Sequence, residues 1–377
     1  MIYLDHNATT PILAEVADGM MPYLREEWGN PSSSYGFGAK LKRRLEIARA
    51  SVAELVGARY ASEIIFTSGA TEANNSAIHS AILGNPEKRH IVTSQVEHSS
   101  VLTYLEYLER YHGYAVTRLP VNSEGLLSVD SVASAITGET ALVSLMWANN
   151  ETGVLFPVEE IATVCRNAGV PFHCDAVQCA GKIPINTQSV AFDYFSISGH
   201  KFGASKGIGA LFVRNGSAYV PLIYGGHQEG EMRGGTENVP AIVGLGVAAN
   251  IAWKNLEKSH QSSGDTRDWF EKQLLTDIPC AEINGGSSPR LPNTSNIHLP
   301  GCDGDALVTF LDQKGFCISS GSACMESAIT PSHVILAMSG SHERASESIR
   351  ISIGVETTAE ELRQLIDALK GFVAMNA

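Results

Sequence analysis

None of the seven cysteines stands in a Cys-x-x-Cys pair, so the chain lacks the commonest zinc and dithiol spacings. An odd, scattered set is not a disulfide framework either. A reducing, cytoplasmic setting is expected. No uninterrupted apolar run reaches the roughly 18 residues that a membrane span needs, and Met1-Ile2-Tyr3-Leu4-Asp5-His6 has no basic stretch followed by an apolar one. Neither export nor a membrane span is expected. Positive charge is scarce: 27 Lys and Arg against 40 Asp and Glu give a net charge of −13, which argues against nucleic acid as a direct partner. Charged residues total 18%, below the ~25% usual for a soluble domain. What remains is a globular chain with much buried or interfacial surface. Its 377 residues suggest two or three domains, because single cores stop growing at roughly 250–300 residues.

Apolar runs alternate with helical patterns. Glu63 to Ser68, His90 to His98, Tyr114 to Val121, Thr140 to Trp147, Val170 to Cys174 and Phe192 to Ser198 read as strands, with a helix over Ala39–Val56 before them and helices over Val101–Tyr111 and Val158–Ala168 between them. Alternation of this kind predicts an α/β fold with a mainly parallel sheet. After Ser198, the glycines at 203, 207 and 209 suggest a tight loop. A helix is expected from Pro240. Its Gly244-Leu245-Gly246-Val247-Ala248-Ala249 matches a dinucleotide fingerprint in letters only, since no strand precedes it. Residues 264–292 are polar and punctuated, with one helical pattern near Trp269–Leu275. Strands near Asn296–Leu299, Phe316–Ser319 and Ile349–Ile353, a helix over Asp305–Gln313 and another from Thr358 then read as a smaller α+β domain.

Chemistry-bearing residues collect at the strand ends. Lys201 closes Ser198-Gly199-His200-Lys201, where a partly desolvated amine would have a lowered pKa and attack carbonyls as a Schiff-base former. Alone, Gly-His-Lys also fits a solvated loop. Gly69-Ala70-Thr71-Glu72 opens a helix whose free N–H groups suit a phosphate, or only a cap; no Walker A loop is present. His98, Asn150, Asp175 and Gln178 follow other strands, and Asp175 would be costly there without a cationic partner. His173, Cys174 and Cys179 match no standard zinc spacing, and no metal is expected. Decoration at random would not set so many polar groups on one carboxyl edge, so a shared pocket is the better explanation. Farther on, Cys165 and Cys317 fit buried small hydrophobes. Cys324 instead ends the small, polar run Ser319-Ser320-Gly321-Ser322-Ala323-Cys324, where an exposed thiol can be reactive. Arg350 shares the polar face of an alternating strand, either solvated or clamping a carboxylate.

Together these stretches, with Leu4-Asp5-His6-Asn7-Ala8-Thr9-Thr10, Glu97-His98, Asn149-Asn150-Glu151-Thr152-Gly153 and Asp175-Ala176-Val177-Gln178, resemble the class V aminotransferases. Within that family the match is to the cysteine desulfurases of the NifS and IscS type, over nearly the whole chain. The resemblance implies the type I fold of pyridoxal-phosphate transferases. A large cofactor-binding domain would span residues 13–257, and a small one residues 1–12 plus 258–377, carrying the cysteine loop. It implies that Lys201 holds pyridoxal 5'-phosphate covalently, Asp175 pairs with its ring nitrogen, Gln178 contacts the ring hydroxyl, and His98 stacks and moves protons. Ala70, Thr71, Ser198 and His200 would take the phosphate, with Thr236 reaching it from the partner of a homodimer. Asn150, beside the cofactor, and Arg350 would hold the carboxylate of L-cysteine. Cys324 would take the sulfur as a persulfide, releasing alanine, and pass it to an acceptor protein. Iron-sulfur cluster assembly, tRNA thiolation, cofactor sulfuration and DNA phosphorothioation all begin with such a persulfide.

The cysteine run looks like the long-loop NifS/IscS group rather than the shorter-loop SufS group. Two departures stand out: Met325-Glu326-Ser327 replaces a more familiar Thr-Ser run, and Val355 follows Gly354 where many members carry arginine. Glu326 would raise the thiol pKa by like charge. The rival readings are selenocysteine lyase or another class V reaction and, from a different class, a non-catalytic sulfur-relay or scaffold subunit.

Overall fold

The computed structural model describes residues 1–320 and 331–376. After a two-residue strand β1 (Ile2–Tyr3) come helices α1 (Ala14–Arg25) and α2 (Gly36–Leu55), and then the alternation read from the sequence. It runs β2 (Ile64–Thr67), α3 (Ala70–Gly84), β3 (His90–Ser94), α4 (Ser99–His112), β4 (Ala115–Leu119), α5 (Val129–Ala135), β5 (Thr140–Met146), α6 (Val158–Ala168), β6 (Phe172–Asp175) and β7 (Tyr194–Ser198). These join a seven-stranded sheet of order β2-β8-β7-β6-β5-β3-β4, parallel except for β8 (Gly209–Val213), which runs antiparallel to both its neighbours. The expected loop after Ser198 therefore ends sooner than its glycines suggest, with Gly209 opening a strand. Successive residues of the central strands serve opposite faces: Ile91 and Leu142 pack with Ile65, Ile78 and Leu105, while Val92 and Val143 pack with Phe172 and Leu245. With both faces covered, such strands read as continuous apolar runs.

Helix α7 (Val239–Asp277) is one unbroken helix of 39 residues, roughly 58 Å long, where the sequence pattern suggests two pieces. Gly264 costs it about 1 kcal/mol, but no backbone crowds that glycine and both ends are anchored. The first half packs on α1 and α2, with Gly244 against Met20 and Gly246 against Ala48; close helix approach is what the fingerprint-like glycines provide. Phe270 and Leu274 in the second half join the second apolar cluster with Leu4, Ile297, Ile351 and Leu365. Residues 257 and 258 fall within this helix. By length and composition alone α7 could cross a membrane, yet half of its most apolar window is buried in the fold.

The second cluster lies on a four-stranded antiparallel sheet of β9 (Glu282–Ile283), β10 (Thr294–His298), β12 (Ser319–Ser320) and β13 (Ser348–Ser352), ordered β12-β13-β10-β9. Between β10 and β12 come α8 (Gly304–Gln313) and β11 (Phe316–Cys317). Strand β1 pairs in parallel with β11, tying the N-terminus to this unit. Cys165 is buried, and its thiol is pushed up to about 12 by burial; Cys317 is only half-buried, because it lies in that short pair at the margin.

His173 sits wholly inside the large sheet, its ring nitrogens 2.8 Å from Ser144 Oγ and 3.0 Å from Ser196 Oγ. Burial pushes it down to about 3 from 6.5. Among the described residues no three His, Cys, Asp or Glu side chains converge as a metal site requires.

Two consequences are measurable. The unfolded chain binds a proton at His173 below about pH 6.5 while the folded chain does not until about 3, so stability is lost as pH falls through that window, by up to about 1.4 kcal/mol per unit. His173→Gln should lack this component, and the gap between its denaturant midpoint and that of the wild type should shrink from pH 7 to pH 4; a constant gap would contradict it. Gly246→Ala would put Cβ 2.5 Å from Ala48 Cα and should cost about 1–3 kcal/mol. An unchanged unfolding midpoint would show α2 and α7 to be less closely packed than described.

Candidate active site

One edge of the large sheet collects the residues singled out from the sequence. Gly69, Ala70 and Thr71 follow β2, His98 follows β3, Asn150 follows β5, Asp175 and Gln178 end and follow β6, and Ser198 and Lys201 end and follow β7. Ser198 faces Gly209 in the ladder. A Cβ on Gly209 would lie 2.9 Å from Gly69 Cα and 2.7 Å from Ile197 O. Only glycine lets the β2–α3 turn rest there, with Gly69 at φ +157°. The N-terminus of the 15-residue α3 is thereby held beside Ser198, and the N–H groups of its first turn lack helical acceptors. That is a cradle for an anion.

Asp175 is the chemical centre of the edge. Its carboxylate is buried and accepts from Asn74 Nδ2 at 2.7 Å and from Val177 N at 3.1 Å. Among the described residues no Lys, Arg or His forms an ion pair with it. Among the described residues the expected cationic partner is not supplied by an ion pair; neutral N–H donors stand beside the carboxylate. Asn74 Nδ2 also donates to Ser100 Oγ at 2.9 Å. Ser100 Oγ lies 2.8 Å from His98 Nδ1, which accepts the Ser100 N–H at 3.1 Å. His98 thus caps α4 instead of ending β3, which stops at Ser94. Burial lowers its pKa, Lys201 and His333 lower it further, and Asp175 opposes them. Glu97, fully buried beneath it, is pushed up to about 8 by burial and adds no charge at neutral pH.

The N-terminal strap closes the other side. Lys201 Nζ donates to the carbonyls of Asn7 at 2.5 Å and Ala8 at 2.8 Å. Thr10 binds the same loop from the opposite direction, with N and Oγ1 donating to His200 O and Gly203 N donating to Thr10 Oγ1. Asn7 is buried and bonds widely: Nδ2 reaches Thr294 Oγ1 and Asn150 O, Oδ1 accepts from Asn293 and Lys182, and Gln178 Nε2 donates to its carbonyl at 3.0 Å. Lys182 Nζ also donates to Gln178 Oε1 at 2.9 Å, and burial together with Lys201 pushes its pKa down to about 7. His200 Nδ1 lies 3.1 Å from Thr9 Oγ1. Burial and neighbouring lysines push His200 down to about 4.

Arg350 is buried, not solvated. Its Nη1 donates to Asn150 O at 3.0 Å and its Nη2 to Asp5 Oδ1 at 2.6 Å, while Nε has no hydrogen-bond partner among the described residues. A donor is left for a carboxylate. Ser319 of β12 faces Arg350 across the ladder. Cys324 and Glu326 themselves lie outside the described residues. Thr236 is exposed just before α7 and is not joined to the cluster within this chain. The sequence reading assigned no role to Asn74, Lys182, Asp5 or the side chain of Asn7. Lys182 carries a local signal, standing four residues after Gln178; Asn74 carries none, because only the sheet brings it to Asp175.

Comparison with known proteins agrees with this geometry. The aminotransferase class-V family matches residues 2–365. A cysteine desulfurase of Nostoc sp. is 48% identical over 373 residues, covering 99% of this chain and 93% of the relative. The cysteine desulfurase NifS of Azotobacter vinelandii is 43% identical, covering 99% and 92%. A solved NifS-like protein superposes with a TM-score of 0.91 at 34% identity over 99% of both chains. Matched over nearly its whole length, the chain belongs to the class-V aminotransferase family, among its cysteine desulfurases of the NifS type.

Proposed function

We propose that this chain converts L-cysteine to L-alanine with pyridoxal 5'-phosphate, holds the sulfur on Cys324 as a persulfide and passes it to an acceptor protein. The observation that carries the reading is Asp175: a buried carboxylate with amide donors but no protein cation, one strand away from Lys201. Leaving a carboxylate so placed costs several kcal/mol unless a positive group joins it, and a protonated ring nitrogen is such a group. Pyridoxal phosphate, when bound, supplies an electron sink that loosens bonds around the amino acid's Cα.

The chain's own residues divide the remaining work. Lys201, held by the Asn7 and Ala8 carbonyls, is the amine that carries the cofactor. The first turn of α3 with Ala70 and Thr71, together with Ser198 and His200, receives the phosphate, and Thr236 of a second copy completes it in a homodimer. His98 is kept neutral by burial and can accept or return a proton near the ring. Gln178 donates to the ring oxygen. Asn150 and the free Nε of Arg350 orient the cysteine carboxylate. The Cys324 thiolate attacks the substrate sulfur: an S–S bond forms, the Cβ–S bond breaks, and its electron pair goes to the alanine skeleton, which is then protonated. We further propose a division into residues 13–257 and residues 1–12 plus 258–377, with the substrate held between the two units. A cytoplasmic site is supported by seven cysteines without a disulfide framework.

The test is the visible spectrum of the protein with pyridoxal phosphate, followed by alanine release from L-cysteine under reductant. Wild type should show a visible band from the conjugated Schiff base and release alanine. Lys201→Ala should lose the band. Cys324→Ala should keep the band and drop alanine release to background. No band in the wild type would defeat the reading, and a band without cysteine turnover would assign another amino acid.

A further inference from the structure

Gln178 and Lys182 face each other across one helical turn after β6. Ala180 N bonds to Ala176 O and Ile183 N to Cys179 O, so the pair has the i, i+4 spacing that brings side chains together. Lys182 Nζ lies 2.9 Å from Gln178 Oε1 and 3.2 Å from Asn7 Oδ1. It forms part of the wall of a cavity of about 800 Å³ that also reaches Tyr3, His6, Lys201 and Val355.

A glutamine amide can be turned over with little change of shape, and its neighbours decide which end points where. Here both neighbours agree. The ammonium of Lys182 has only donors, so it must meet Oε1; the Asn7 carbonyl has only lone pairs, so it must meet Nε2. A neutral Lys182 amine would donate N–H groups but also carry a lone pair, and the Asn7 carbonyl then sets the orientation. Asn7 Oδ1 is held against Lys182 in turn, because Asn7 Nδ2 is committed to Thr294 Oγ1 and Asn150 O. With Oε1 taken and one N–H on Asn7, Gln178 keeps a second N–H to offer. The Asn7 carbonyl that receives Gln178 is the same one that receives Lys201, so the orientation of this amide is tied to the position of the nucleophilic amine.

We propose that Lys182 is a positioning residue for the reaction, fixing the Gln178 amide so that it presents an N–H donor, not a carbonyl oxygen, to the ring oxygen of pyridoxal phosphate. This inference rests on the proposed function, and it assigns Lys182 no contact with substrate or cofactor. Replacing Lys182 by methionine leaves Oε1 without its donor and removes one of the two neighbours that fix the amide; where the amide turns, an oxygen facing the ring oxygen loses one hydrogen bond and adds a repulsion.

Apoprotein is titrated with pyridoxal phosphate by fluorescence, alongside the pH titration of the visible band. Lys182→Met is expected to bind the cofactor about tenfold more weakly, the size of one net hydrogen bond, and to shift the pH midpoint of the band. Lys182→Arg, which keeps the donors, should recover part of both. In a Gln178→Ala background, Lys182→Met should cost nothing further, since the lysine acts through the amide. Gln178→Glu, which keeps a partner for Lys182 but offers only oxygens, should also bind weakly; it decides the matter if Lys182→Met fails to fold. Equal affinity and an unmoved band in Lys182→Met, the same loss in the Gln178→Ala background, or wild-type affinity in Gln178→Glu would each overturn the inference while leaving the proposed function intact. Wild-type apoprotein that takes up no pyridoxal phosphate would overturn both.

Discussion

A buried carboxylate without a protein cation is the constraint on which the arrangement turns. Asp175 ends β6 at the middle of the sheet, where its neighbours on either side are the ends of β5 and β7. Two N–H donors, from Asn74 and Val177, hold it in place, and hydrogen bonds to a charged group are worth roughly 1.5–3 kcal/mol each. They offset part of the desolvation and leave the carboxylate aimed. Asn74 comes from α3, the helix whose first turn forms the anion cradle, so one helix fixes both ends of the site. His98 is reached through the same amide by way of Ser100.

The second dependence is on the strap formed by residues 5–10. It starts from the small antiparallel unit, where Asp5 bridges to Ser352 and Asn7 N donates to Ser352 Oγ, and it ends on the Lys201 loop of the large sheet. Asn7 bonds to groups from both units. Two polar side chains of the site are therefore positioned by a single short stretch: Arg350 is paired with Asp5, and Lys201 with the Asn7 and Ala8 carbonyls. Movement of one unit against the other would be felt at Arg350 and Lys201 together.

Much of this was legible in the sequence for physical reasons. Strands buried on both faces give long apolar runs, and polar residues directly after them must lie on one carboxyl edge if the strands are parallel; His98, Asn150, Asp175, Gln178 and Lys201 all follow that logic. Legibility failed where tertiary contact overrides local pattern. Gly209 reads as a loop breaker, yet it opens β8 because the Gly69 turn needs a neighbour without a side chain. Gly264 reads as punctuation, yet α7 continues through it because both flanks are anchored in apolar clusters. Asn74, a polar residue within a helix, leaves no trace of its partner in the local sequence, and Asp5 reads as part of a polar opening until β13 brings Arg350 to it.

The measurement that bears most directly on the account is the affinity of the apoprotein for pyridoxal phosphate in wild type and in Asp175→Asn. The asparagine keeps the shape but has one oxygen where the carboxylate offers Oδ2 to Asn74 and Oδ1 to Val177, so it accepts from one of them only, and it lacks the charge that would hold a protonated ring nitrogen. The variant should still fold, because removal of a desolvated charge offsets the hydrogen bond that is lost. It should bind the cofactor at least about tenfold more weakly, as losing a charge-assisted hydrogen bond implies, and should release little alanine from L-cysteine. Equal affinity and equal alanine release in the two proteins would contradict it.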